Sequence, residues 1–466
     1  MTRILFSFVF LYFLISTISC KKESFITDQN AQLSFSADTI HFDTVFTSTG
    51  SVTHFFKVFN NNNQRLMLNR IKLMGSDTSY FHTNIDGVPT SELTNISMEA
   101  NDSLYVFVTV TIDPNNTQLP FIVTDSIMIE YNGNYRFVQL EAFGKNARFL
   151  RGHTVTSNEV FNNQFPYIIL DGLQVEAGAT LRINAGTELY FHANAPLLVD
   201  GTLEANGTVT QPILFTGDRL DYYYRNLPGS WPGIYFTDNS INNQLTFCKI
   251  KNTYRGISVH NPSLNMNDKV VIKQTIIERA YDAGIHLQST SANISNSLVY
   301  NCGTNVRIRA GGQYQFTHCT LASYSNNTLF RINPVVSVFN YINEGGVINS
   351  GDLNCNFTNS IIWGENGIAD NEIETGQEGT DDFVLNFNHC LYKAQSIPLL
   401  ASFESCIQNI NPEFDQIDAA ENIYQFTISS DTAPGLDSGI STSYLKDLKD
   451  ENRNVGAPDL GAYEKQ

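Results

Sequence analysis

The spacing of apolar residues changes character along the chain. From Ile4 to Ile15 they run almost without interruption. From Leu33 to about Asn146 they come in short alternating runs: Leu33–Phe35, His54–Phe59, Leu66–Leu73, Leu104–Ile112, Phe121–Tyr131 and Tyr135–Phe143. A period of two marks strands with one buried face. The breaks between them are Asn60-Asn61-Asn62-Asn63, Asp86-Gly87 and Asn132-Gly133. Asn-Gly tolerates the positive φ of a tight hairpin.

Six or seven such strands predict a two-sheet β-sandwich of immunoglobulin-like type over residues 21–147. No Cys falls in this segment, so it lacks the inter-sheet disulfide of antibody domains. It gathers no titratable cluster that could do chemistry, and its expected role is that of a spacer.

Beyond Arg148 the strands shorten. Leu173-Gln174-Val175-Glu176-Ala177-Gly178, Leu181-Arg182-Ile183-Asn184-Ala185-Gly186, Leu197-Leu198-Val199-Asp200-Gly201 and Leu203-Glu204-Ala205-Asn206-Gly207 each end in a turn. Strands of about three residues are stable only when stacked on like neighbours, as in a parallel β-helix. The repeat can be aligned on Cys248, Thr275, Ser297, Cys319, Ser360 and Cys390, at spacings of 27, 22, 22, 41 and 30 residues. Two positions later stand Ile250, Ile277, Val299, Leu321, Ile362 and Tyr392; three earlier stand Leu245, Ile272, Ile294, Phe316, Phe357 and Phe387. The position just before the aligned one is mostly polar: Phe247, Gln274, Asn296, His318, Asn359 and His389. A second strand follows at Ile257-Ser258-Val259, Ile285-His286-Leu287, Val306-Arg307-Ile308 and Phe330-Arg331-Ile332. Coils near 22 residues predict a right-handed parallel β-helix over 148–410, with three strands per turn. The 41-residue interval fits either one coil with an insertion or two irregular coils.

Composition agrees with an all-β chain. Charged residues are 16% of 466, against about 25% in average soluble proteins. Their place is taken by roughly fifty Asn and by 30 Gly. The net charge of -18, without basic runs, excludes the electrostatic footprint of a nucleic-acid binder.

Gly178…Gly186-Thr187, Asp200-Gly201-Thr202-Leu203-Glu204-Ala205-Asn206-Gly207-Thr208, Pro212-Ile213-Leu214-Phe215-Thr216 and Trp231-Pro232-Gly233-Ile234 resemble bacterial right-handed β-helix repeat proteins of pectate-lyase-like fold. Asn411-Pro412-Glu413-Phe414, Pro434-Gly435-Leu436-Asp437-Ser438-Gly439 and Pro458-Asp459-Leu460-Gly461-Ala462-Tyr463-Glu464 resemble the end of a choice-of-anchor β-helix family. The resemblance implies a fold and carries no catalytic motif. Residues 411–466 are expected to cap the last rung, because an open end exposes unpaired strand edges.

Arg3, the apolar run and Ser16-Thr17-Ile18-Ser19-Cys20 read as a secretory leader over 1–20. Cys20 stands where bacterial lipoproteins carry their lipidated residue, although Thr17 departs from the usual Leu or Val. The overall layout resembles exported lipoproteins of Bacteroidetes. That implies a cell-envelope protein, lipid-anchored at the outer membrane, with the membrane face and the oligomeric state left open.

Candidate chemistry lies on the second strand, whose middle residue points outward. Ser258, His286, Arg307 and Arg331 occupy that position, and His260, Gln288, Arg309 and Asn333 stand two residues on. Such a face suits the carboxylates or sulfates of a polysaccharide. Alternatively it is a solvated face whose arginines pair with Asp282 or Glu278. If it is catalytic, His286 is the candidate base of a polysaccharide lyase, and Arg307 or Arg309 neutralises a uronate. Glycoside hydrolysis would need two carboxylates about 5–9.5 Å apart, which these positions lack. Tyr222-Tyr223-Tyr224 and Trp231 either offer rings for sugar stacking or pack a loop against the edge of the β-helix. Asp370, Glu372, Glu374, Glu378, Asp381 and Asp382, with Gly376 and Gly379, offer a Ca²⁺-wrapping turn or a solvated insertion.

The ladder cysteines read as buried free thiols, since intervening coils hold them about 10–15 Å apart. A pairing among Cys302, Cys355 and Cys406, placed off that ladder, is left open. No zinc spacing occurs; His318 and His389 share a column but Asn359 stands between them. The expected function is non-catalytic binding of an extended carbohydrate, with a lyase and a purely structural surface protein as alternatives. No cofactor other than Ca²⁺ is implied.

Overall fold

A computed structural model describes residues 24–46, 50–113, 121–221, 224–453 and 456–466. Cys20 and the leader, and Tyr222 and Tyr223, lie outside the described residues. The chain divides into two compact units between Asn146 and Ala147. No helix among the described residues is long and apolar enough to cross a membrane.

The first unit is two five-stranded sheets. One contains Leu33–Phe35, His54–Asn60, Ser103–Val110, Phe81–Ile85 and Val88–Pro89; the other contains Thr39–Phe46, Asn134–Lys145, Phe121–Tyr131, Leu66–Leu73 and Glu92–Met98. Alternation does the work the sequence implied. Val106, Val108 and Val110 face inward with Phe56 and Val58, opposite Ile127, Ile129, Val138 and Leu140. Four strands escaped the alternation reading: Thr39–Phe46, Phe81–Ile85, Val88–Pro89 and Glu92–Met98. Thr39–Phe46 is hard to see because its pairing with Asn134–Lys145 slips at a bulge between Ala142 and Phe143, which breaks the period of two.

The second unit is one continuous 26-stranded sheet of parallel pairings, β-helix-like, with each strand bonded to its counterpart one coil on. Three ladders run its length. One begins at Glu159–Phe161 and ends at Ser402–Glu404; another begins at the start of Arg148–Val155 and ends at Ile407–Gln408. The third runs through Leu197–Val199, Ile234–Phe236, Arg255–His260, the start of Ala283–Ser295, the start of Val306–Thr317, Val336–Phe339 and Ile373–Gly376. Inward apolar residues of all three form one core, including stacked Phe316, Phe357, Phe387 and Phe403.

The aligned column is real, and its bonding explains the residue types. Cys248 N–H donates to Thr275 Oγ1 (3.4 Å), Thr275 N–H to Ser297 Oγ (3.2 Å) and Cys319 N–H to Ser360 Oγ (3.1 Å). A short side chain with a lone pair satisfies the backbone of the coil beside it. The polar column just before it has a backbone cause: Phe247, Gln274, Asn296, His318, Asn359 and His389 all have φ between 46 and 52°. That left-handed corner favours Asn over other non-Gly residues. Cys406 belongs to the column as well, since Cys390 N–H donates to its Sγ at 3.4 Å. All six described cysteines are free.

The 41-residue interval is one coil. Gly312–Thr317 of the longer strand pairs directly with Leu353–Thr358, and the excess is a loop and the hairpin Tyr341–Glu344/Val347–Ser350.

Residues 411–466 do not sit over the last rung alone. They run back along the flank of the ladder that ends at Ile407–Gln408, where Leu298, Tyr300, Ala322, Tyr324, Ile361, Trp363 and Leu391 face outward. Phe426, Ile428, Leu448, Leu460 and Ala462 cover that stripe. Buried Arg453 fixes the segment, donating to Asn296 Oδ1, Glu464 Oε2 and Gly461 O. The signal was in the doublets Ile276-Ile277, Leu298-Val299 and Ile361-Ile362: adjacent apolar residues belong to a strand buried on both faces.

Candidate functional site

The outward row of the third ladder reads, coil by coil, Tyr235, Ser258, His286, Arg307, Ser337 and Glu374. Ser258, His286 and Arg307 stand where the sequence placed them; Arg331 does not. The segment Phe330-Arg331-Ile332 is not the strand of its coil, for Val336–Phe339 takes that place. Phe330 and Ile332 are exposed while Arg331 is buried, forked onto Glu372. The apolar–Arg–apolar pattern matched the neighbouring coils, but insertion moved the true strand about six residues later. Asn333 leaves the face with it.

Trp231 is also not a surface ring. It is fully buried, stacks on Phe191 at 4.2 Å, and donates its indole N–H to Lys251 O at 2.9 Å. Tyr224 is exposed and lies beneath the Arg219 guanidinium.

His260, His286, Arg307 and Arg309 do come together, with Asp282 beside them as the counter-charge the sequence offered, and joined by Arg255, Ser337 and Glu374, which the second-strand reading left out. Asp282 bridges two guanidiniums: Arg255 Nε donates to Oδ2 at 2.6 Å and Arg307 Nη1 to Oδ1 at 2.7 Å. Burial acts to raise its pKa, but hydrogen bonds from the two arginines and their charges outweigh this and hold the carboxyl below its ordinary value. Glu278 serves elsewhere, beside Lys249 and Arg279.

Arg309 has a different environment. Nη1 donates to Ile308 O (2.7 Å) and Ser337 O (3.2 Å), Nη2 to Ser337 Oγ (3.0 Å), and the guanidinium lies 4.4 Å over the Phe339 ring. None of these partners is a carboxylate. Ser337 Oγ passes the contact on to exposed Glu374, at 3.1 Å from Oε2. Burial, then the charge of Arg307, draws Arg309 down to about 10, so it stays cationic at neutral pH.

His286 is 5% exposed, and its Nδ1 has no hydrogen-bond partner. Burial first, then Arg255, His260 and the two arginines of its neighbouring coil, press its pKa down to about 3. His260 is lowered by burial and by Arg255 and Lys269; its Nε2 lies 2.8 Å from Ser258 Oγ. Lys269, fully buried, closes the adjoining turn by donating to the carbonyls of Asp238, His260 and Asn261. One residue beyond Gln288 and Arg309 opens a polar cleft of about 400 Å³, lined by Asn265, Asp268, Thr290, Gln313 and Asp352 among others.

The acidic run does not gather. Glu372 is spent on Arg331, Glu374 lies on the outward row, and Asp381 accepts from Ser350 Oγ. Ile373–Gly376 is a strand of the sheet, not part of a loop. Among the described residues no three acidic, His or Cys side chains are grouped so as to hold a metal ion, the set Asp370, Glu372, Asp381 and Asp382 included.

No family model matches the chain, and no curated protein matches it. Among solved structures, it is similar to a family 123 glycoside hydrolase from Clostridium perfringens that acts on glycolipid glycans, at 9% identity and TM-score 0.19, covering 28% of this chain and 30% of that one. It is also similar to the VesB protease of Vibrio cholerae, at 13% identity and TM-score 0.18, covering 24% and 32%. A PapD-like domain of human CEP192 matches at 8% identity and TM-score 0.17, covering 27% and 91%. The chain thus spans less than a third of the hydrolase and of the protease. Overlaps this slight support neither a fold nor an activity.

Proposed function

We propose that this chain is a cell-envelope lipoprotein, anchored through Cys20, that binds an extended acidic carbohydrate along the His260–Arg309 face. In this reading the second unit is a right-handed β-helix of pectate-lyase-like fold, and the first is an immunoglobulin-like stalk. The observation that carries the reading is Arg309, a cation without a carboxylate partner on a chain of charge -18. Two further guanidiniums, of Arg255 and Arg307, share the single bridging acid Asp282. Rungs repeat at about 4.8 Å, so charged and amide groups recur at a step comparable to one sugar of an extended chain. The face has the rigidity of a sheet, and a rigid site loses little entropy on binding.

Binding is favoured over lyase chemistry by His286. A general base works best with a pKa near the operating pH, whereas this ring is buried and held at about 3. The reading requires no cofactor. Incubation with uronate polymers tests it: retarded migration of the protein in glycan-containing gels, with no ultraviolet-absorbing unsaturated product, supports binding. An unsaturated product would replace it with the lyase. Unchanged migration with every polymer would leave the protein a structural one.

A further inference from the structure

The inward column from Cys248 to Cys406 is filled by Cys, Ser or Thr. Cys248 is followed on the next coil by Thr275 and Cys319 by Ser360. Only at the end do two cysteines stand on consecutive coils. Cys390 and Cys406 immediately precede Leu391 and Ile407, which are paired in parallel register. Cys390 N–H donates to Cys406 Sγ at 3.4 Å. Adjacent strands lie about 4.8 Å apart, within the Cα separation of roughly 4.4–6.8 Å that a disulfide spans. Cys406 is also the one described cysteine that is not buried. It stands on the last coil, whose strands Ser402–Glu404 and Ile407–Gln408 have a sheet neighbour on one side only.

We propose that Cys390 and Cys406 are an oxidisable thiol pair whose disulfide staples the last coil to the one before it. Cys406 is the entry thiol. It is accessible, and the hydrogen bond from Cys390 holds its pKa below the ordinary thiol value. Burial pushes Cys390 well up, so it reacts second. The oxidant is an external disulfide. Cys406, as thiolate, attacks one of its sulfurs; a mixed disulfide forms and the other sulfur leaves as a thiolate. Cys390 then gives up its proton, attacks the Cys406 sulfur and expels the second external thiolate. Two electrons pass to the external disulfide, which departs as two thiols carrying the protons of Cys406 and Cys390. The closing movement falls on a terminal coil with no further strand to hold it. The bridge would then restrain the end of the sheet, which carries exposed Ile397, Leu399 and Ile410.

The test uses oxidised glutathione on the full chain, with intact mass and peptide mapping. Three results are expected: the natural chain loses two hydrogens and yields a Cys390–Cys406 cross-linked peptide without retained glutathione, the Cys390→Ser variant keeps one glutathione on Cys406, and the Cys406→Ser variant leaves Cys390 unmodified. Ser fills the same column at Ser297 and Ser360, so both variants retain the fold, which their melting curves check. A natural chain that keeps glutathione on Cys406, as Cys390→Ser does, would overturn the proposal. So would an unmodified Cys406 in both, or a bridge between other cysteines.

Discussion

Arg331 and Glu372 meet in a forked ion pair, Nη1 to Oε2 at 2.7 Å and Nη2 to Oε1 at 2.8 Å, with both side chains 1% exposed. Arg331 Nη1 also donates to Asn333 O, and Glu372 Oε2 accepts the Val335 N–H. The pair thus ties the loop before Val336–Phe339 to the next coil. Removing one partner strands a buried charge, which costs about 3–5 kcal/mol. Arg331→Ala and Glu372→Ala are each expected to lose that much in urea denaturation, and a double replacement by Met and Leu to lose much less. Near-neutral single variants would contradict the buried placement.

Asn359 illustrates the left-handed corner. At φ 50° its side chain donates to Ile440 O (2.7 Å) and accepts from the Ile440 N–H (3.0 Å), while its carbonyl accepts from Gly461. Asn359→Ala removes the local tolerance of that φ and two partly buried bonds to the C-terminal segment, an expected loss of about 3 kcal/mol. Ser405 has the same backbone, at φ 52°, but an exposed side chain. Ser405→Gly is expected to gain about 0.5–1 kcal/mol. A loss at Asn359→Ala no larger than the gain at Ser405→Gly would mean that the corner, and not the docking, dominates.

How much of this was legible in sequence depends on how local the cause is. The column from Cys248 to Cys390 was readable because each coil must place a small acceptor at one corner. The Ser258–His286–Arg307 row followed from it at a nearly constant offset. Arg331 was misplaced because Phe330-Arg331-Ile332 satisfies the local pattern, and only pairing between Val306 and Val336 rejects it. Cys406 was missed because the last coil advances only 16 residues from Cys390, outside the range of the other spacings. Asp282 was legible as a counter-charge of the face, but Arg255, the second guanidinium it bridges, entered through a three-dimensional contact that no spacing encodes. Trp231 was open in the sequence to either stacking on a sugar or packing, and its burial against Phe191 decides for packing.

His286 and His318 give the pH dependence. Burial first, then neighbouring arginines, hold both rings at about 3, against about 6.5 in an unfolded chain. Below that value the unfolded state binds protons that the folded state refuses, so the stabilisation is present above about pH 6.5 and is lost as pH falls toward 3. At pH 4 each ring is expected to cost about 3 kcal/mol relative to pH 7. His286→Gln should narrow the difference between denaturation curves at the two pH values by that amount. An unchanged difference would mean that His286 is protonated in the fold.

The central claim is that the face around Arg309 binds acidic glycan without reacting on it. Its most direct test is the affinity of the natural chain and of Arg309→Ala for polygalacturonate, by titration calorimetry at low salt, beside a neutral polymer. Charge-assisted bonds predict that Arg309→Ala weakens uronate binding about tenfold or more, near 1.4 kcal/mol, in a variant whose melting curve shows it folded. No binding of the acidic polymer, or equal binding by the variant, would contradict the account.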